Sequence, residues 1–223
     1  PLPDEVGRVA TQRFLSLANE LTEDDLLLFL ISGGASALLV EPADRLDFED
    51  KRVITNALLK SGAPINEINC LRKHLSAVKG GRLAAAAYPA QVITLAISDV
   101  PGDDPSVIGS GPTVGDPTTC LDALRVVDKF RINLPHHARA ALIEGKWESL
   151  DPSDQTLTKT TFELIACPAD SRNAAADFIR NAGLYPMLLG TDTEGEAREL
   201  GLEHARLAVS AIPGVILSGG ETT

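Results

Sequence analysis

The sequence predicts an α/β fold: a Rossmann-like, doubly wound and mostly parallel sheet with helices on both faces. Short apolar segments alternate with amphipathic segments along the second half of the chain, an order that favours parallel strands covered by helices. Aromatic residues make up only 4% of the 223 residues, whereas Ala, Leu, Val, Ile and Gly are plentiful, a profile typical of helices packed on a buried sheet. With 44% hydrophobic and 23% charged residues, the chain can bury a sizeable core.

Hydrophobic periodicity places the individual elements. Amphipathic patterns predict helices, short apolar runs predict buried strands, and clusters of Gly, Pro and Ser mark their ends. The first half is predicted as helix 5–20, strand 26–31, helices 48–60 and 65–78, strand 91–97 and a long Gly/Pro/Asp loop over 98–117. The second half is predicted as helices 121–129 and 135–144, a polar stretch over 145–160, strand 162–167, helix 171–182, strand 185–189, helix 194–210 and strand 215–217.

The domain organisation is expected to be simple. A length of 223 residues favours one domain, so we predict a single Rossmann-like α/β domain over 1–223. The chain has no initiator Met and stops shortly after a Gly-Gly turn. We therefore expect it to be a piece of a larger protein.

Charge and composition argue against several classes of partner. Lys and Arg number 20 against 31 Asp and Glu, a formal net charge of −11. This balance argues against non-specific binding to nucleic acid or to an anionic membrane, but allows a phosphate-bearing small molecule in a local basic pocket. The longest apolar run, Leu26–Ile31, is too short to span a bilayer. Three widely spaced cysteines without a Cys-x-x-Cys pair favour a reducing, cytoplasmic setting.

Two Ser-Gly-Gly turns follow predicted strands and are candidate anion-binding loops. Paired glycines let successive backbone N–H groups converge on an anion, and a following helix would add its N-terminal dipole. The alternative for each turn is a tight connection that binds no ligand. The candidate residues are Ser32, Gly33, Gly34 and Ser36 in the first turn and Gly219, Gly220 and Glu221 in the second.

A basic cluster stands out in this acidic chain. It contains Arg72, Lys73, Lys79 and Arg82, and a continuous helix would place Arg72, Ser76 and Lys79 on one face. Such a cluster would bind an anionic ligand. The alternative is a solvated helix face, with cations favourably placed near a helix C-terminus.

Asp99 follows the predicted strand 91–97, at the end where parallel sheets place functional groups. A carboxylate there would accept a proton from a substrate hydroxyl, or hold Mg²⁺ with water completing the shell. Asp103 and Asp104, farther along the same loop, are interpreted as turn residues beside Gly102 and Pro105.

Other familiar motifs are absent from the sequence. The Gly-rich stretch over 109–115 has the wrong spacing for a dinucleotide fingerprint and is interrupted by Pro112, and no Walker A motif occurs. None of the four histidines shows metal-ligand spacing with Cys, Asp or Glu along the chain, and the cysteines are interpreted as small buried apolar residues.

Five strings stand out when the sequence is taken in order: LFLISGGAS (28–36), INCLRKHLSAVKGGR (68–82), LAISDV (95–100), GSGP (109–112) and SGGET (218–222). Together they resemble one known family, the glycerate 2-kinases with a MOFRL C-terminal domain. Some members of that family carry the older name hydroxypyruvate reductase. The resemblance covers essentially the whole chain, and the basic string is its most specific part.

The resemblance implies an activity and a set of roles. Family members have a large Rossmann-like domain and a smaller α/β domain, and transfer the γ-phosphoryl group of ATP to the 2-hydroxyl of D-glycerate with Mg²⁺. It implies that Asp99 is the catalytic aspartate, and it places the 32–36 loop and the 79–82 segment at the ligand cleft. The predicted substrate- or phosphate-binding residues are therefore Ser32, Gly33, Gly34, Ser36, Arg72, Lys79, Arg82, Ser110, Gly219, Gly220 and Glu221.

The sequence departs from the family pattern in three ways. The family's Gly-Lys-Ala loop would lie before Pro1, and its MOFRL domain beyond Thr223, so the missing C-terminal domain is an expected partner. Ala35 stands where many relatives have Gly. Because part of the site would be missing, we expect the isolated chain to turn over poorly or not at all.

Two other functions are open alternatives. One is an NAD(P)H-dependent hydroxypyruvate reductase, which would need a dinucleotide fingerprint that the chain lacks. The other is a non-catalytic binding module. The expected ligands are D-glycerate and ATP with Mg²⁺, without nucleic acid or membrane; a homodimer is left open, as is the metal count.

Overall fold

The computed structural model of the chain describes residues 3–210 and 213–222. The α-helices are α1 (Glu5–Asn19), α2 (Ala35–Leu38), α3 (Phe48–Lys60), α4 (Ile65–His74), α5 (Arg82–Ala87), α6 (Cys120–Lys129), α7 (His136–Ile143), α8 (Pro168–Asn181) and α9 (Ala197–Ser210). The strands are β1 (Leu26–Ile31), β2 (Gln91–Ile97), β3 (Thr160–Ala166), β4 (Pro186–Leu188), β5 (Thr193–Gly195), β6 (Val215–Leu217) and β7 (Gly220–Thr222).

The strands form three sheets among the described residues. One has the order β1-β2-β3, with β1 parallel to β2 and Leu26 opposite Gln91; β4 pairs with β6 and β5 with β7, both in parallel. Parallel strands connected by helices confirm the predicted α/β class.

The described chain divides into two compact units. Unit 1 contains the residues up to Ala96 together with Pro105–Glu163, and unit 2 contains Ile97–Asp104 and the residues from Leu164 onward. The single domain expected over 1–223 stays a prediction.

Unit 1 is built around a core of helices α3, α4, α6 and α7. Leu71, Val127 and Leu142 are fully buried there, and Trp147 packs against them while its Nε1 donates to the carbonyl of Asp44 at 3.1 Å. Helix α6 begins with a capping box, in which the Thr119 hydroxyl accepts from the Asp122 amide and the Asp122 carboxylate accepts in return. The core thus fixes the positions at which α4 ends and α6 begins.

Unit 2 is smaller. Helix α8 packs on β4 and β6 through Ala176 and Ile179, and its first turn is capped by the Asp170 carboxylate, which accepts from the Cys167 amide at 2.9 Å. No helix in the described part of the chain is long and apolar enough to cross a membrane.

Three expectations about the elements need correction, and two elements were not predicted. Helix α4 ends at His74 instead of 78, because the Ala77 amide donates to Glu41 and the Leu75 carbonyl accepts from Ala43. Residues 193–195 pair with β7 and delay the last helix to Ala197; in addition, α5 and β7 were not predicted. Strand β1 is buried on one face only: Phe29 and Ile31 are buried, whereas the leucines at 26, 28 and 30 are more than half exposed.

Candidate functional site

Three loops that carry predicted site residues meet in unit 1. The amides of Gly80, Gly81 and Leu83 donate to the carbonyls of Ser110, Gly111 and Pro112 at 2.8–3.1 Å, so the 79–83 and 109–112 segments lie side by side. The Ser110 hydroxyl lies 3.0 Å from that of Ser36 and donates to Asn69 at 3.2 Å. The first Ser-Gly-Gly turn is thereby tied to the other two loops.

Gly109 shows why this arrangement needs glycine. Its φ is +59°, and a Cβ there would lie 2.5 Å from the Cδ1 of Ile31. The close approach brings the Gly109 carbonyl to the Lys79 ammonium, which donates to it at 3.1 Å. Lys79 is itself only 2% exposed.

A small cavity beside these loops is lined by three cations. Lys51, Arg72 and Lys79 line it together with Ser36 and Thr55, and none of its described lining residues is a carboxylate. Its volume is about 20 Å³, room for about one water molecule. The cavity therefore suits the oxygen atoms at one end of an anionic ligand. We call it the cationic pocket.

The charges in this pocket repel one another and are poorly solvated. Burial lowers the pKa of Lys79 to about 7, and the positive charge of Arg72 adds to the effect. Burial also holds the pKa of Lys51 well below its usual value, with Lys79 and Arg82 contributing. The Lys51 ammonium is held by the carbonyl of Leu75 at 2.6 Å. An anion entering the pocket would relieve this unbalanced charge.

Sequence reasoning missed Lys51, although α3 carried a signal for it. Ile54, Thr55 and Leu58 form the buried stripe of that helix, and Lys51 stands one turn earlier on the same stripe. A lysine at a core-facing position is unusual and points to a partner.

The predicted helical face of Arg72, Ser76 and Lys79 does not form. Helix α4 ends before Ser76, whose hydroxyl donates to the Glu41 carbonyl at 3.3 Å. Arg72 and Lys79 nevertheless line the same cavity, because the chain turns between the end of α4 and Lys79.

Arg82, a predicted binding residue, is engaged by the fold. Its guanidinium donates to the carbonyls of Lys73, Lys79, Trp147 and Glu148 at 2.7–3.0 Å. It does not line the cationic pocket. In this structure Arg82 holds the 147–148 turn against α4 and α5, and its role in ligand binding stays a prediction.

Ser32, Gly33 and Gly34 are exposed, and helix α2 after them is a single turn. Ser32 and Gly33 line an apolar groove with Phe14 and Leu38. The helix dipole expected at this turn is correspondingly small, since it grows with the number of aligned peptides.

Asp99 lies in unit 2, immediately after β2. Its carboxylate is exposed and makes no hydrogen bond or ion pair with the residues that the structure describes. It lines a cavity of about 580 Å³ with Arg172 and Ser218 at the ends of β2, β3 and β6. This is the edge at which α/β sheets bind ligands, and the volume suits a small molecule. We call it the Asp99 pocket.

Arg172 was missed from the sequence. It lies in the first turns of α8, directly after β3, and its NH1 donates to the Leu189 carbonyl at 2.9 Å. Its Nε is buried and has no hydrogen-bond partner among the residues that the structure describes. An unpaired guanidinium donor beside a pocket fits a phosphate oxygen. Its position in a strand–turn–helix connection was the signal available in the sequence.

The second Ser-Gly-Gly turn differs from the predicted loop. Gly219 and Gly220 line the Asp99 pocket, but the Gly219 amide donates to the Gly190 carbonyl at 3.0 Å, and β7 begins at Gly220. The Gly219 amide is therefore not free to bind an anion. Glu221 lies in β7 opposite Glu194, and its side chain lies outside what the structure describes.

Comparison with known proteins gives a consistent set of similarities. The family model described as "Domain of unknown function (DUF4147)" matches residues 1–143. The chain is 48% identical to a protein of Agrobacterium vitis named "Putative hydroxypyruvate reductase", covering all of this chain and 52% of that protein. It is 36% identical to the D-glycerate 2-kinase of Thermotoga maritima and 38% identical to the glycerate 2-kinase of Pyrococcus horikoshii, covering 54% and 53% of those proteins.

Solved structures give the same picture. A crystal structure of glycerate kinase from Thermotoga maritima matches the whole chain with a TM-score of 0.83 at 36% identity, over 54% of that protein. The chain spans about half the length of the curated relatives that it matches.

Proposed function

The chain belongs to the DUF4147 family, and we propose that the protein containing it is a glycerate kinase that transfers the γ-phosphoryl group of Mg-ATP to the 2-hydroxyl of D-glycerate. The observation that carries the proposal is the Asp99 pocket. It combines an exposed carboxylate with a guanidinium whose Nε has no partner among the described residues, at the ligand-binding edge of parallel strands. The names of the glycerate kinase relatives support the same substrate.

Phosphoryl transfer needs positioning and charge neutralisation more than covalent chemistry. In the proposed reaction, Asp99 accepts the proton of the attacking hydroxyl, and the Arg172 guanidinium donates to a phosphate oxygen. Mg²⁺ binds through one or two carboxylates and substrate phosphates while it keeps several waters, and Asp99 fits this requirement. Bound there, the ion would neutralise phosphate charge.

The cationic pocket has a separate role in the proposal. Lys51, Arg72 and Lys79 would receive an oxygen atom of an anionic substrate, because the pocket has room for about one water molecule and contains no described carboxylate of its own. We expect Arg72→Met to raise the KM for one of the two substrates, glycerate or ATP, at least tenfold and to leave the other KM within twofold. Charge-assisted hydrogen bonds of this kind contribute about 1.5–3 kcal/mol. Losing one would raise the KM at least tenfold, because a tenfold change corresponds to about 1.4 kcal/mol. Steady-state kinetics in both substrates measure the two constants, and an equal rise in both would contradict this role.

The pKa of Lys79 gives a pH-dependent prediction. Between its folded pKa of about 7 and its usual value of 10.5, the unfolded chain binds a proton that the folded chain does not. Stability should therefore rise with pH over this window, by up to about 1.4 kcal/mol per pH unit from this residue. Lys79→Met should reduce that slope, and the remaining slope would come from Lys51. Urea unfolding at several pH values between 7 and 10 measures it. Exposed Lys60→Met is the control; a slope in Lys79→Met equal to that of the wild type would refute the prediction.

A reductase acting on hydroxypyruvate is the second candidate, favoured by the name of one relative at 48% identity. The stretch with glycines 109 and 111 is docked against 80–83, which leaves it unsuited to a pyrophosphate. The cytoplasmic setting and a homodimer stay predictions.

One pair of assays separates the two candidates. The full-length protein is incubated with D-glycerate and Mg-ATP, and ADP release is followed by a coupled assay. In parallel, it is incubated with hydroxypyruvate and NADH or NADPH, and absorbance is followed. We expect glycerate-dependent ADP release and no nucleotide oxidation; the reverse result would establish the reductase.

A further inference from the structure

A second cluster of chemically reactive side chains lies in unit 1, where neither the cationic pocket nor the Asp99 pocket uses it. His74 stands at the end of α4, Cys120 at the start of α6 and Glu148 in the turn after α7. One possible ligand atom from each lies within 4.8 Å of the other two. We propose that these three residues bind a divalent transition metal ion of the Zn²⁺ type.

His74 is already oriented as a metal ligand. Its Nδ1 lies 2.8 Å from the Cys70 carbonyl, an atom that can only accept, so Nδ1 carries the hydrogen. In the neutral ring this leaves a lone pair on Nε2, and the side chain is completely buried. A backbone carbonyl on the other ring nitrogen is the usual outer-sphere partner of a metal-bound histidine.

The Nε2 lone pair lacks a committed hydrogen-bond donor. The Ser149 hydroxyl lies 3.3 Å away, but it donates to the Asp116 carboxylate at 2.8 Å. Another polar atom close by is the Glu148 Oε1 at 3.8 Å, which is an acceptor when ionised. Two acceptors facing each other at the edge of the core are unfavourable unless water, a proton or a cation lies between them, and a metal cation would satisfy both.

The other two ligands are held by the backbone. The Cys120 amide donates to both carboxylate oxygens of Glu148 at 3.0 and 3.1 Å, which keeps the carboxylate beside the thiol. Arg82 donates to the Glu148 carbonyl at 2.8 Å and fixes the turn. The Cys120 side chain is buried, whereas that of Glu148 is 45% exposed. The ion could therefore enter from the Glu148 side, where water would complete a four-coordinate shell.

The ligand set selects the metal. A thiolate and an imidazole favour Zn²⁺ and related ions over Mg²⁺ or Ca²⁺, so the site is independent of the Mg²⁺ in the proposed kinase reaction. Zn²⁺ lies about 2.0–2.3 Å from such ligands, so the three atoms, which lie within 4.8 Å of one another, would move closer together as the ion binds. Binding forms Zn–N, Zn–S and Zn–O bonds and releases the Cys120 thiol proton to solvent. The thiolate and carboxylate then balance the charge of the ion.

Co²⁺ is the probe for this site, because thiolate coordination gives a charge-transfer absorption band. The metal-free protein is titrated with CoCl₂ and then with ZnCl₂. We expect one equivalent to bind with a charge-transfer band and tetrahedral d–d bands, Zn²⁺ to displace it, and the melting temperature to rise with Zn²⁺. Cys120→Ser should abolish the charge-transfer band, whereas Cys167→Ser should retain it.

The variant Glu148→Gln tests the metal site without changing a buried side chain. Its side chain is partly exposed, and its amide oxygen can still accept from the Cys120 amide. We expect at least a tenfold weaker Co²⁺ affinity, with Glu144→Gln as the control in the same turn. No charge-transfer band in the wild type, a band that persists in Cys120→Ser, or equal affinity in Glu148→Gln would overturn the proposal.

Discussion

Asp99→Asn should reduce kcat for glycerate phosphorylation by about 10²- to 10⁴-fold, the range that a positioned acid–base group contributes. Asparagine keeps the size of the side chain but cannot accept the hydroxyl proton. The side chain is exposed and has no described partner, so the fold should be unaffected. The measurement is steady-state kinetics with saturating Mg-ATP, together with thermal unfolding of both proteins.

The nearby exposed Asp104 provides a matched control, because it lies in the same loop but does not line the Asp99 pocket. Asp104→Asn should retain activity within a few-fold. A Mg²⁺ titration distinguishes the two roles of Asp99: a base leaves the Mg²⁺ dependence unchanged, whereas a metal ligand raises the Mg²⁺ concentration needed for half-maximal rate. Wild-type kcat in Asp99→Asn would remove the residue from the reaction.

Asp116→Asn should destabilise the protein by about 3–5 kcal/mol, the usual result of breaking a buried ion pair. The Asp116 carboxylate lies 3.1 Å from the Lys73 ammonium, and both side chains are almost completely buried. It also accepts from the amide and hydroxyl of Thr118 and from the Ser149 hydroxyl at 2.8–3.0 Å. The substitution leaves the Lys73 charge buried without its partner.

The pKa of Asp116 gives the sign of its pH dependence. Burial alone opposes ionisation, but the Lys73 charge and the hydrogen bonds from Thr118 and Ser149 together bring its pKa below the usual value. Its contribution to stability is therefore present above that usual value and lost as the pH falls through the lower, folded pKa. Urea unfolding at pH 7 and at pH 3 measures both effects.

Asp128→Asn is the matched control for this prediction. Asp128 pairs with Arg139 on the surface, where such pairs contribute about 0–1 kcal/mol. If Asp116→Asn lost no more stability than the control, the buried pair of Lys73 and Asp116 would not stabilise unit 1 as we infer.

The sequence predicted the parts of the fold that depend on local patterns. Strand β2 matches its predicted bounds, and Asp99 follows it as expected, because an apolar run and a Gly/Pro/Asp loop are visible in any short window. Helix α4 was predicted too long because its end is set by pairing of 75–77 with 41–43, more than thirty residues away in the chain.

The unpredicted site residues share this dependence on distant partners. Lys51 faces the cationic pocket only because α3 packs beside α4, and His74 meets Cys120 and Glu148 only in the folded core. Spacing along the chain does not show which residues meet, although the buried stripe of α3 marks Lys51 as facing the core. Arg172 is an intermediate case. The sequence shows that it follows a predicted strand, but only the structure shows that its Nε has no described hydrogen-bond partner.

The most direct test of the central claim is ³¹P NMR of the reaction products. The full-length protein is incubated with D-glycerate and Mg-ATP, and the spectrum is compared with authentic 2-phosphoglycerate and 3-phosphoglycerate. The account predicts a 2-phosphoglycerate signal that grows with ADP in the wild type and is absent over the same period in Asp99→Asn. A spectrum that shows only unreacted ATP, or an equal signal from both proteins, would contradict it.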